Sequence, residues 1–261
     1  MNKWMKALGG MVAVLHISAF AGSYAYGTEV ISDTFEITGA RVAGSLLGGS
    51  TAELGGVTWT ASASCILGTD GTDDYVTSNT NTNVAGYVPF SFGAYDGYGD
   101  VATISLDVSP IGASGTWTAL VFGRNGVSPT TNGVAWLSIS KNTGTWSLMT
   151  YTTTLETGNL TDVASYSATG FNDYTLSYDQ SNRTIVGVTI NGVDVLSQDY
   201  VLSTTSDVVA AGFFKQYSGS TDQTKFNSFG VSVIPELSTV SLLIGGVSLV
   251  MTGLLRRRSR G

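Results

Sequence analysis

The sequence predicts an all-β fold, an antiparallel sandwich or barrel, on three observations. From Gly56 onward apolar and polar residues alternate with period two, and Gly, Asn, Asp and Ser interrupt the runs. No stretch of 28–234 carries a sustained apolar stripe at i, i+3, i+4, i+7. Asn191-Gly192 lies between two β-branched runs, and both residues tolerate the positive φ that a type I′ hairpin demands.

In chain order, VTWTASA (57–63) places Val57, Trp59, Ala61 and Ala63 on one face. VATISLDV (101–108) sets Ala102, Ile104, Leu106 and Val108 against Val101, Thr103, Ser105 and Asp107. TWTALVFG (116–123), VAWLSIS (134–140) and TWSLMTY (145–151) follow closely, and Thr143-Gly144 marks a hairpin between the last two. YTLSYD (174–179), RTIVGVTI (183–190), VDVLSQ (193–198), VVAAGFF (208–214) and FNSFGVSV (226–233) complete the set. The Asn191-Gly192 turn is expected to pair Ile185–Ile190 with Val193–Ser197. No linker or fixed-period repeat divides this stretch, so it reads as one domain, 28–233.

Both ends read as targeting segments. Residues 1–27 form a signal peptide: Lys3 and Lys6 precede the apolar run 7–20, with cleavage sites after Ala21 or Gly27. At the other end, Leu237 to Leu255 carry no charge. At about 1.5 Å per helical residue this run is long enough to cross a hydrocarbon core. Arg256, Arg257, Arg258 and Arg260 then stop it and stay cytoplasmic, leaving the β domain outside.

The middle of the chain is acidic. Between Thr28 and Ile234 stand six basic residues against eighteen acidic ones, a net charge of −12. The basic residues are scattered singly, so no patch tracks a phosphate backbone, and nucleic acid is not a partner. His16 is the only histidine and lies in the segment to be removed, which excludes His-based triads and zinc sites in the mature chain. Cys65 is the only cysteine, set among small and apolar residues, and is expected to be buried and inert.

Two resemblances follow from these residues. The order GGVTWTAS, YVPFSF, ATISLDV, WTALVFG, an aromatic-rich hairpin, VTINGVDV and AAGFF resembles laminin-G-like and concanavalin-like jelly rolls. That likeness implies a two-sheet antiparallel sandwich with one concave sheet. It names no ligand, because the fold serves lectins, glycosidases and spacers. Residues 234–261, Ile-Pro-Glu-Leu-Ser-Thr followed by the apolar span and the arginines, resemble the PEP-CTERM sorting signal. Pro235 and Glu236 carry the motif, Ser238 matches its small hydroxyl residue, and Thr239 closes it; Leu237 stands where the family has a second proline. The resemblance implies an exosortase-type membrane transpeptidase as partner. It also implies transient anchoring in the inner membrane of a Gram-negative-type bacterium, then delivery to the cell surface or extracellular matrix.

The candidate sites are few. The laminarinase-type glycosidases of this fold need a Glu-x-Asp-x-x-Glu-like run, and Glu29, Glu36, Glu53 and Glu156 have no such neighbours. Asp107, Asp173, Asp179 and Asp194 stand singly, so no catalytic residue is assigned and the chain is read as no enzyme. Asp70, Asp73 and Asp74 in a Gly-containing loop are the candidate calcium ligands, the only cofactor considered. Tyr95 and Tyr98, with Asp96 in the same Gly-Asp loop, are the candidate glycan contacts, while Trp117, Trp136 and Trp146 read as packing. The expected function is therefore a non-catalytic surface or matrix protein that binds a glycan such as an exopolysaccharide. The alternatives are a carbohydrate-active hydrolase of the same fold or a membrane-anchored spacer without ligand.

Overall fold

The computed structural model describes residues 27–78, 82–95, 98–109, 116–140, 143–217 and 224–234. The predicted signal peptide, apart from Gly27, Asp96, and the whole of 235–261 lie outside the described residues. Among those described, no helix is long and apolar enough to cross a membrane.

The chain folds into strands β1 (Thr28–Asp33), β2 (Thr60–Ala61), β3 (Cys65–Thr69), β4 (Asp74–Ser78), β5 (Val84–Pro89), β6 (Val101–Ser109), β7 (Trp117–Gly123) and β8 (Gly133–Ser140). Then come β9 (Thr145–Thr150), β10 (Thr153–Asn159), β11 (Asn172–Asp179), β12 (Thr184–Ile190), β13 (Val193–Asp194), β14 (Tyr200–Val201), β15 (Ala210–Gln216) and β16 (Lys225–Ile234). They form two antiparallel sheets. The first runs β13-β12-β11-β6-β16-β4-β3, with β1 also on β16 and β14 on β12. The second runs β10-β9-β8-β7-β15-β5-β2. The all-β two-sheet sandwich is as predicted.

Alternation decides which residues meet between the sheets. On β6, Ala102, Ile104, Leu106 and Val108 are each 0% exposed, the stripe read from the sequence. Leu120 and Phe122 of β7, Leu137 of β8 and Phe213 of β15 face them from the second sheet. Aromatic rings fill the centre: Phe213 stacks on Phe226 at 4.4 Å, and Trp59 meets Phe229 edge-on at 5.2 Å. Burying one such side chain is worth about 1.5–3 kcal/mol, so these contacts dominate the stability of the sandwich.

Local chemistry sets the connections. Asn191 and Gly192 take φ of 50° and 76°, the mirror-image turn their sequence demands. The ladder beyond it is shorter than predicted, with only Ile190↔Val193 and Thr189↔Asp194 paired. Asp194 then accepts the Leu196 amide and turns the chain, and β14 covers the far end of β12 instead. Gly144, at φ 65°, allows the second predicted hairpin, closed at Ser140↔Thr145. The predicted strand 57–63 reduces to Thr60–Ala61, because Trp59 exchanges backbone bonds with Gly49 and Ser50 of the preceding loop; Ala63 is exposed.

One buried polar knot fastens that loop to the sandwich. The Asp33 carboxylate, 0% exposed, accepts both Nη groups of Arg41, the Trp59 indole N–H at 2.7 Å and the Phe35 amide at 2.8 Å. A buried carboxylate persists only with such a full set of donors.

Candidate functional site

In the first sheet, strands turn polar residues outward. In the second the outer face is apolar over β5, β15 and β7 and polar only towards β10. Register places Tyr87, Gly212, Val121, Trp136, Met149 and Thr154 in one row across the outer face of β5, β15, β7, β8, β9 and β10. The next row holds Ala85, Phe214, Ala119, Ser138, Ser147 and Thr157. Gln216 and Trp117 share a third, with Ser140, Thr145 and Asn159 continuing the same face towards the sheet edge.

Ala119, Val121, Val127, Trp136 and Ala210 pack there as a second apolar cluster, separate from the core. Trp117 stacks against Trp136 at 5.5 Å and lies 5.3 Å from Phe214. The small residue Ala119 leaves room for those rings to lie over the sheet and is 0% exposed beneath them, while Gly212 allows the close approach of β5 at Gly86 and Tyr87. Trp136 satisfies its indole N–H on the Tyr151 carbonyl at 3.0 Å. Trp117, Phe214, Tyr87 and Met149 are only partly buried, so ring surface remains open to solvent.

Towards β10 the same face becomes hydroxylic. Ser147 and Thr157 share a hydrogen bond at 3.1 Å, and Thr143 and Thr145 share one at 2.6 Å. An aromatic half joined to a hydroxyl half matches a ligand with C–H faces and hydroxyl edges.

The sequence-predicted residues lie elsewhere. Tyr95 follows the short turn Phe92–Ala94, stacks on Phe90 at 5.8 Å and packs against the main core; burial raises its phenol pKa. Tyr98 is 38% exposed, and Asp96 is outside the described residues. Asp70 forms an ion pair with Lys225 at 2.6 Å and accepts the Thr72 and Asp73 amides. The lysine first and those amides next hold its carboxyl down at about 2. Asp74 accepts the Ile37 amide at 2.8 Å. The Asp70 and Asp74 carboxylates are therefore engaged in holding the fold. Among the described residues no group of three His, Cys, Asp or Glu side chains is placed to hold a metal.

The structure does correct one reading. Asp107 and Asp173, taken as isolated, stand directly opposite each other on β6 and β11. Desolvation, then Asp73, raises Asp107; desolvation, then Asp107, raises Asp173. The pair sits on the outer face of the first sheet, among Thr103, Ser177, Thr175 and Thr189, which hydrogen-bond to one another. That is the opposite side of the sandwich from the aromatic patch.

Sequence reasoning missed the patch because Trp117, Ala119 and Val121 alternate with Thr118, Leu120 and Phe122, and both sets look like core. A strand apolar on both faces was the available signal.

No protein-family model matches the sequence, and no curated protein matches it. Solved structures do. A protein of unknown function with a galectin-like fold from Bacillus subtilis superposes with a TM-score of 0.50 at 13% identity, covering 82% of this chain and 100% of that one. A protein of unknown function from Shewanella oneidensis MR-1 gives 0.50 at 12% identity, covering 82% and 90%. The carbohydrate recognition domain of Emp47p reaches 0.48 at 12%, covering 82% and 100%, too distant to bear on function. The fold is thus a galectin-like jelly-roll sandwich. At this identity the likeness extends to the fold alone.

Proposed function

We propose that this chain is an exported, non-catalytic glycan-binding protein of a bacterial envelope or matrix, whose contact surface is the outer face of the second sheet. The observation that carries the reading is the set of partly buried rings of Trp117, Phe214 and Tyr87, laid over small residues beside the hydroxyls of Ser138, Ser147 and Thr157. Sugars stack their C–H faces on such rings, and their hydroxyls exchange hydrogen bonds with the neighbouring side chains. A rigid sheet supplies the geometry in advance, so little ordering is required on binding.

The sorting reading belongs to the same proposal. Pro235 and Glu236, the span 237–255 and the terminal arginines would deliver the domain to an exosortase-type transpeptidase and then to the surface. Intact mass of the protein from its native envelope tests this. A mass ending near Pro235 supports sorting, and a mass that includes Arg256 to Gly261 in the membrane fraction refutes it.

Binding is tested by gel retardation of the full chain in a polysaccharide panel, with assay of new reducing ends. Retardation that Trp117→Ala abolishes, without reducing ends, supports the reading. The facing carboxylates Asp107 and Asp173 are the one observation that favours the hydrolase instead, and reducing ends lost in Asp107→Asn would establish it. Neither retardation nor cleavage would leave the spacer.

A further inference from the structure

We infer that the outer face of the second sheet takes an uncharged, linear oligosaccharide laid across the strands, without a bridging cation. This rests on the glycan-binding reading above and specifies its ligand class. The three rows on that face contain aromatic, aliphatic, hydroxyl and amide side chains and no charged one. Among the described residues the neighbouring charges are turned away or already engaged. Lys215 of β15 points into the sandwich and is 1% exposed. Glu156 of β10 accepts the Ser197 amide and the Tyr200 hydroxyl. Arg124, just past β7, lies over the Tyr151 ring and donates to the Thr131 carbonyl. Asp162 accepts the Asn159 amide group at the sheet edge.

Among the described residues an acidic polymer therefore finds no cation in these three rows to pair with, and it meets a domain of net charge −12. Within a Debye length of about 8 Å that field repels it. Nor is there a carboxylate cluster among the described residues to hold calcium between protein and sugar.

The shape of the face adds a second selection. The row from Phe214 through Ala119, Ser138 and Ser147 to Thr157 crosses five strands. At about 4.8 Å per strand spacing it spans roughly 19 Å, longer than one sugar ring. The ring end offers stacking and the far end offers hydroxyls, so a single sugar reaches one half and a chain of several reaches both.

The test uses the full chain in mild detergent, by intrinsic tryptophan fluorescence and affinity electrophoresis. Laminarin and galactomannan are the neutral probes, alginate and polygalacturonate the acidic ones, each at low and high salt and with EDTA. Neutral polymers should bind with no effect of EDTA or salt. Free glucose and mannose should bind at least on the order of tenfold more weakly than oligomers. Trp117→Ala should weaken binding on the order of tenfold, and Ser147→Asp should do so while leaving the aromatic cluster intact. Preference for alginate or polygalacturonate, with salt or EDTA sensitivity, would overturn this inference and leave the glycan reading standing. Binding as tight for free monosaccharides as for oligomers would overturn the linear-chain part. Binding of none of the probes, acidic or neutral, would remove both.

Discussion

Arg41 and Asp33 meet as a two-pronged pair, Nη1 to Oδ1 at 2.7 Å and Nη2 to Oδ2 at 2.5 Å, with the carboxylate 0% exposed. The pair ties the loop that carries Trp59 to the end of β1. Removing Asp33 strips Arg41 of its bidentate partner and leaves the Trp59 indole N–H and the Phe35 amide without their acceptor, while Arg41 keeps Glu53 and the Thr51 carbonyl. The loss is about 1–3 kcal/mol. Asp33→Ala is expected to lower the unfolding free energy of the full chain, read from urea titration, by that amount. A loss below about 1 kcal/mol would mean the knot is ornamental.

Asp107 facing Asp173 has the opposite sign. Both carboxyls are raised above their ordinary range, so the folded state binds protons more tightly than the unfolded chain. Their contribution is most favourable below the unfolded value of about 3.9 and is lost as pH rises through the folded values. Asp107→Asn should therefore stabilise the fold at pH 7 by about 0.5–1 kcal/mol and leave it unchanged near pH 3.5. Urea unfolding at the two pH values reads the difference.

Tyr174 and Tyr178 point between the sheets, and among the described residues their buried hydroxyls have no hydrogen-bond partner. Burial raises both phenols, Tyr178 to about 12. An unpaired buried hydroxyl costs about 1–3 kcal/mol, so Tyr178→Phe should hold or raise the thermal midpoint. A fall of several degrees would show that the hydroxyl is engaged.

Cys65 is buried at 0% exposure, and burial pushes its thiol up to about 12. The thiolate is the reactive form, so the folded protein should resist a thiol reagent at pH 8 and react fully in denaturant. Rapid labelling of the folded chain would contradict its placement.

Some of this was legible in the sequence and some was not, for physical reasons. β6 could be read with its faces assigned, because Ala102, Ile104, Leu106 and Val108 are all apolar while the opposite face holds Thr103, Ser105 and Asp107 beside the single apolar Val101. β7 could be read as a strand but not oriented, because Trp117-Ala119-Val121 and Leu120-Phe122 are equally apolar. The Asp107–Asp173 pair depends on the register of strands far apart in the chain, which local pattern does not encode. Tyr95 sits in a Gly-Asp loop that suggests exposure, yet its ring finds Phe90. The short ladder at Val193–Asp194 follows from one Asp side chain turning the backbone.

The central claim is that the outer face of the second sheet is the contact surface. Hydroxyl-radical footprinting of the full chain, with and without the polysaccharide that retards it most, tests this directly. The account predicts protection of Trp117, Phe214 and Tyr87, with Tyr98 and the β6–β11 face unchanged. Protection at Tyr98 or around Asp107 and Asp173, with Trp117 and Phe214 still oxidised at the free rate, would contradict it.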